Sequence, residues 1–315
     1  MKNTNLLRII PIMVSTLLTS CGSKERANTL SILVPTGAPS VAFYNYSDDP
    51  KFQTNDNAAT GIKSQVVNGS VDVAVLPTNL CVNLISTAHV NYKLAATITF
   101  GNFFIASTGN DDNDVMDDGD YIVLFQQNGL PDKLFHYLYG NAFDTNIRYA
   151  NASNDCANIL SNDSDNFVIN PLNQKVDYVM ISEPDLSIAM SYNSDVSIYK
   201  NIQEEYVSKT GGLKLFQASI LINNNVSKEL GDEFLNNLNK DIARAREDAS
   251  VIEQGMNKDD LAEMHFRVKP SLAKSLTENG NKLGLGFEMA RDNKQAIDSF
   301  LNLFGMENTN EEIFY

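Results

Sequence analysis

Four short segments place glycine or proline beside small polar residues, directly after an apolar run: Thr36-Gly37-Ala38-Pro39-Ser40, Pro77-Thr78-Asn79, Asn128-Gly129-Leu130-Pro131 and Ser182-Glu183-Pro184. Glycine admits a tight turn, and proline has no N–H to lose in the first turn of a helix, so each segment reads as a strand end turning into a helix. A helix start offers free backbone N–H groups and a partial positive charge. Several such starts aimed into one gap hold a small polar molecule, with anionic groups well suited. The chemistry on offer is recognition. The sequence has no Gly-x-Ser-x-Gly elbow, no Gly-Lys-Ser/Thr phosphate loop and no Gly-x-Gly-x-x-Gly after a strand. Gly284-Leu285-Gly286 reads as helix or loop that follows no clear strand. His89, His136 and His265 are far apart and lack the spacing of a zinc site, so neither a metal nor a cofactor is expected.

Each of these residues also has a plain structural role open to it. Gly37 and Gly129 serve equally as turn glycines; Ser40, Thr78, Asn79 and Ser153 as helix caps; and Glu183 as an acceptor for backbone donors at its helix start. A carboxylate in the gap would repel anions and attract amines or hydroxyls. No arginine lies within the four segments to clamp a carboxylate or phosphonate, and Arg148 sits on a strand whose facing the sequence leaves open. A neutral, zwitterionic or heteroaromatic ligand fits this inventory. Phe43, Tyr44, Tyr46, Phe103 and Phe216 supply either stacking faces or core.

The elements that must position these loops form a weak repeat. Leu30 to Val34 leads into the first loop and Tyr121 to Phe125 into the third; Val71-Asp72-Val73-Ala74-Val75-Leu76 and Val176-Asp177-Tyr178-Val179-Met180-Ile181 lead into the other two. Continuous apolar runs of this length suit strands buried on both faces, as in parallel sheets. Asn146 to Ala150 adds a further strand to the second half. Each half therefore reads as β-α-β-α-β with right-handed crossovers. Leu94 to Ser107 reads as one strand crossing between halves, and Leu215 to Leu221 as the return strand. Ser227 to Ala249 sets Leu230, Phe234, Leu238, Ile242 and Ala245 on one helical face; Asp292 to Phe304 does the same with Ile297, Phe300, Leu301 and Phe304. These stripes are core, and they send the C-terminal region back onto the first lobe.

Lys2 and Arg8, the apolar run Ile9 to Leu18 and the small residues before Cys21 read as a secretory signal too short to span a bilayer. Removing Lys2 and Arg8 from the 24 basic residues leaves 22 against 39 acidic ones, a net charge near −17. Such a chain does not seek nucleic acid or bare anionic lipid electrostatically. Composition is that of a folded globular protein, 43% hydrophobic and 20% charged. Cys81 and Cys156 fall in different halves, where a disulfide would lock any hinge; small buried free thiols are the expectation.

Leu18-Thr19-Ser20-Cys21, Val34-Pro35-Thr36-Gly37-Ala38-Pro39, Val71-Asp72-Val73-Ala74-Val75-Leu76-Pro77-Thr78, Phe100-Gly101-Asn102 and Val176-Asp177-Tyr178-Val179-Met180-Ile181-Ser182-Glu183-Pro184 occur in an order that resembles one family. It is that of the type 2 periplasmic-binding-protein-like solute-binding lipoproteins of ABC importers, in particular the nitrate/sulfonate/taurine and thiamine-precursor group. The resemblance implies two Rossmann-like α/β lobes joined by a two-strand hinge. It divides the chain into a signal peptide (1–20), a lipid-anchored tether (21–29), lobe I (30–101 and 217–315) and lobe II (102–216). It implies lipid on Cys21, an extracytoplasmic site at the cell membrane, a monomer, and delivery of a small solute to an ABC permease and its ATPase. Carried onto this sequence, the ligand residues are Thr36, Gly37, Ala38, Pro39, Ser40, Thr78, Asn79, Gly101, Asn102, Asn128, Gly129, Leu130 and Glu183. Ser153, and Gln217 on the return strand, complete the candidate set. A dehydratase-like enzyme on the same fold and a surface sensor are the alternatives.

Overall fold

The computed structural model describes residues 29–109, 115–161, 168–169, 174–306 and 309–315. The expected signal, Cys21 and the tether as far as residue 28 lie outside them, as do residues 111–114. The strands are β1 (Ile32–Pro35), β2 (Phe52–Asn55), β3 (Val73–Pro77), β4 (Tyr92–Thr99), β5 (Phe103–Ser107), β6 (Ile122–Phe125), β7 (Ile147–Ala150), β8 (Val168–Ile169), β9 (Gln174–Lys175), β10 (Tyr178–Ser182), β11 (Ser197–Asn201), β12 (Ala218–Asn223) and β13 (Leu285–Met289). The helices are α1 (Ala38–Val41), α2 (Lys63–Val67), α3 (Thr78–Ser86), α4 (Leu130–Tyr139), α5 (Ser153–Leu160), α6 (Asp185–Tyr192), α7 (Ile202–Thr210), α8 (Lys228–Glu247), α9 (Ser250–Met256), α10 (Ala262–Phe266), α11 (Pro270–Glu278) and α12 (Lys294–Leu301).

Two mixed sheets result. One runs β13-β4-β12-β3-β1-β2 and the other β11-β5-β10-β6-β7; β8 and β9 pair separately. In the first, β1 is parallel to β2 and β3, while β12 is antiparallel to β3 and β4. In the second, β6 is parallel to β7 and β10, while β5 is antiparallel to β10 and β11. The two sheets therefore share one plan. A strand arriving from the other half, β12 in one and β5 in the other, inserts antiparallel beside the third strand. The chain crosses at Phe100-Gly101-Asn102, between β4 and β5, and returns through 211–217 into β12. The crossing is thus two strands and not the single one expected from 94–107. Gly101 sits at φ +103°, a backbone that breaks an extended run and that side-chain-bearing residues rarely adopt.

The apolar runs are buried on both faces, as continuous hydrophobic strands require. In the first sheet Ile32, Val34, Val73 and Val75 pack toward α8 and α9, whereas Leu33, Ala74 and Leu76 pack on the opposite side with residues of α3 and α12. The strand period of two sorts one run into two cores. Helix α8 is capped by Ser227, whose Oγ accepts from the Leu230 N–H at 3.3 Å. It buries Phe234, Leu238, Ile242 and Ala245 at helical spacing. Ile297, Phe300 and Leu301 of α12 join the core that also holds β5, β6 and β10 of the second sheet, and residues 302–304 contact α4. The C-terminal region therefore bridges both halves and is not confined to the first.

Gly284-Leu285-Gly286 opens strand β13, correcting its assignment to helix or loop. A Cβ at Gly284 would lie 2.5 Å from the Gly101 carbonyl oxygen, and one at Gly286 2.8 Å from the Phe100 ring. These glycines are what allow β13 to lie against the crossover. Phe43 stacks on Phe52 and Phe234, and Tyr44, Phe103 and Phe216 are buried, so the aromatic group is core. Cys81 and Cys156 are buried free thiols whose burial pushes their pKa up, leaving them inert as nucleophiles.

Candidate ligand cleft

The four loops all follow the carboxyl ends of parallel strands, β1, β3, β6 and β10, and lead into α1, α3, α4 and α6. Open α/β sheets bind ligands at such ends. Across the gap the halves come close: a Cβ at Gly37 would lie 3.7 Å from Pro184 Cδ. Gly37 adopts φ +88°, and its N–H donates to the Phe266 carbonyl at 3.0 Å. That bond draws Arg267 to the rim of the same gap. Thr36 Oγ1 donates to Asp56 Oδ1 at 2.9 Å, and Arg267 pairs with Asp56 at 3.2 Å.

At the opposite wall, Glu183 is 1% exposed. Its carboxylate accepts the Ser187 N–H at 3.0 Å and the Ser187 hydroxyl at 2.9 Å. Burial pushes its pKa above the ordinary carboxylate range; the two Ser187 bonds and the Lys282 ammonium oppose that rise without cancelling it. Asp185 behaves alike. Burial raises it, against a bond from Ser153 and the attraction of Arg267. Lobe I thus sets two cations, Arg267 and Lys282, within electrostatic reach of two lobe II carboxylates, the half-buried Asp185 and the buried Glu183. Neither cation lies in the four loops, and sequence reasoning missed both. Basic residues some eighty and nearly a hundred positions from the nearest loop carry no local signal; only the packing of α10 and the 279–284 turn brings them in.

Several expected ligand residues are spent on structure. Ser40 is fully buried and its Oγ donates to the Gly37 carbonyl at 2.8 Å; Ala38 belongs to the core. Thr78 Oγ1 lies 2.7 Å from Ser219 Oγ, which lies 2.7 Å from Thr97 Oγ1, a buried hydroxyl chain tying α3 to β12 and β4. Leu130 is buried. Gly129 and Asn128 close their own turn: the Gly129 N–H donates to the Gln126 carbonyl at 2.6 Å and the Asn128 N–H to Asp132 Oδ2 at 2.7 Å, with Asn128 at φ +62°. Ser153 is not a cap. It is the first residue of α5, and its Oγ accepts the Ser182 N–H at 3.0 Å, joining the end of β10 to α5. Pro39 occupies the first turn of α1.

Asn102 and Gln217 form the joint between lobes. Asn102 Nδ2 donates to the Glu183 carbonyl at 2.9 Å, the Glu183 N–H donates to the Asn102 carbonyl at 3.0 Å, and Gln217 Nε2 donates to Asn102 Oδ1 at 2.6 Å. Crossover, return strand and the second lobe's loop therefore meet on one buried amide. Asn79 differs from its neighbours. Its Oδ1 is buried with no hydrogen-bond partner among the described residues, in the first turn of α3. A ligand donor would satisfy it.

No protein-family model matches the chain, and no curated protein does. Solved structures do. An ABC transporter protein from Parabacteroides distasonis aligns at TM-score 0.66 and 20% identity, over 86% of this chain and 90% of that one. The periplasmic aliphatic sulphonate binding protein SsuA from Escherichia coli aligns at TM-score 0.59 and 12% identity, over 90% and 91%. A Candida albicans gene product described as having the generic periplasmic binding protein structural fold aligns at TM-score 0.54 and 13% identity, over 91% and 93%. The chain has the periplasmic binding protein fold. In this fold the gap between Gly37 and Pro184 lies between the two lobes. No helix among the described residues is long and apolar enough to cross a membrane.

Proposed function

We propose that this chain is the solute-binding component of an ABC importer, anchored outside the cell by lipid on Cys21 and acting as a monomer. The observation that carries the reading is that the first and fourth strand-to-helix loops meet between the lobes at Gly37 and Pro184, while the other two loops also follow the ends of parallel strands. Lobe I comprises 30–101 and 217–315 and lobe II 102–216; the membership of the two sheets supports that division. The solute is small and polar. It enters with the lobes apart, engages Asn79 and the helix starts of lobe I, and is enclosed as Glu183 and Asp185 approach Lys282 and Arg267. Closure stabilises the form the permease receives. The chain performs no reaction on its cargo.

Two experiments test this reading. A thermal-shift screen of sulfonates, thiamine-like pyrimidines, nucleobases and amino-acid derivatives is expected to find one class that raises the melting temperature. Labelled palmitate fed to cells making the full chain is expected to enter the protein, and Cys21→Ala to abolish the label. Soluble, unlabelled protein would favour a cytoplasmic enzyme on the same fold.

A further inference from the structure

A second cavity, of about 790 Å³, lies on the other side of the crossover from the four loops. Its position follows from sheet order. In lobe I the loops follow β1 and β3, whereas the cavity is walled by β13 and the turn before it, at the opposite edge of the sheet. In lobe II they follow β6 and β10, whereas the cavity is walled by β11 and the start of α7. Phe100 and Gly101 of the crossover lie between.

The lining has a definite chemistry. Phe100, Phe287 and Tyr199 offer aromatic surface. Of the charged side chains, Lys214 pairs with Glu288, and Glu204 accepts a 2.9 Å bond from Asn201 Nδ2. Arg246 and Lys282 remain, and among the described residues neither has a carboxylate within ion-pairing distance. Ring faces in a lining that carries three cations, Lys214, Arg246 and Lys282, against two carboxylates, Glu204 and Glu288, favour an anion carried on an aromatic group.

We propose that this cavity is a second small-molecule site, for an aromatic carboxylate or sulfonate, distinct from the interlobe cleft. Because its walls belong to different lobes on the far side of the pivot, a rotation that narrows the cleft widens the cavity. Its occupant therefore shifts the balance between open and closed lobes. Lys282 lines the cavity and also faces Glu183, which gives that coupling a charged contact on both sides.

The test is calorimetric titration of the full chain with 2-naphthoate, with 2-naphthalenemethanol as its neutral counterpart. Binding of the carboxylate is expected below millimolar, with the alcohol at least tenfold weaker. Arg246→Glu on the lobe I wall and Ile198→Glu on the lobe II wall, both at exposed positions, are each expected to weaken binding at least tenfold; Arg246→Lys is expected to retain it within about threefold. No binding at 5 mM, equal binding of the alcohol, or an effect confined to one wall overturns the proposal.

Discussion

Glu183 shows how a residue chosen for its place in a cleft can be held by its own helix. Its carboxylate receives both donors of Ser187, so the negative charge is kept by the first turn of α6 and not offered bare to solute. Because burial raises its pKa, the folded chain binds the proton more tightly than the unfolded one. That contribution to stability is fully present below the unfolded carboxyl pKa and is lost as pH rises through the folded value. Glu183→Gln removes the charge and keeps an acceptor for Ser187. Its melting temperature relative to the parent should therefore rise from pH 4 to pH 7, measured by calorimetry; a difference constant with pH would show that Glu183 does not titrate differently on folding. Asn79 is the converse case. Its buried oxygen has no partner to lose, so Asn79→Ala should change stability little while weakening solute binding about tenfold, the worth of one neutral hydrogen bond. Stability loss with unchanged affinity would assign Asn79 to structure. Thr78 was legible as a small polar residue at a helix start, but whether its hydroxyl faces ligand or core depends on Ser219 and Thr97, more than a hundred and about twenty residues from it.

At the level of elements, the strands before the four loops were legible because buried parallel strands leave continuous apolar runs bounded by glycine and proline. The amphipathic faces of α8 and α12 were legible for the same reason. The break between β4 and β5 was not, since Gly101-Asn102 is a two-residue interruption between the apolar residues of both strands and the +103° backbone at Gly101 is what ends the run. Strand β13 was hidden by the glycines that let it pack there. Gly284 is the sharpest test of that joint. An alanine there must accept a left-handed backbone and a Cβ 2.5 Å from the Gly101 carbonyl, so Gly284→Ala should cost about 2 kcal/mol or more by urea unfolding. A loss under about 0.5 kcal/mol would mean the crossover yields readily, and that its glycine contact does not fix the pivot.

For the whole molecule, the two sheets of like order and the core that runs from α12 into lobe II describe halves that are separate in architecture yet joined on one side. The link between them is Phe100-Gly101-Asn102, where Gln217 hydrogen-bonds to Asn102 and Asn102 to the Glu183 carbonyl. The chain's net charge of −15 favours solubility and sets no preference among small ligands. Arg267 pairs with Asp56 of its own lobe and is attracted to Asp185, and Lys282 is attracted to Glu183, so charge across the gap is partly balanced within the chain. The most direct measurement is the melting temperature of the chain against a panel of small polar solutes. One class held at a hundredfold its Kd should add about 2.7 kcal/mol to the folded state and raise the melting point by several degrees. A full panel that leaves it unmoved would contradict a cleft built to enclose a solute.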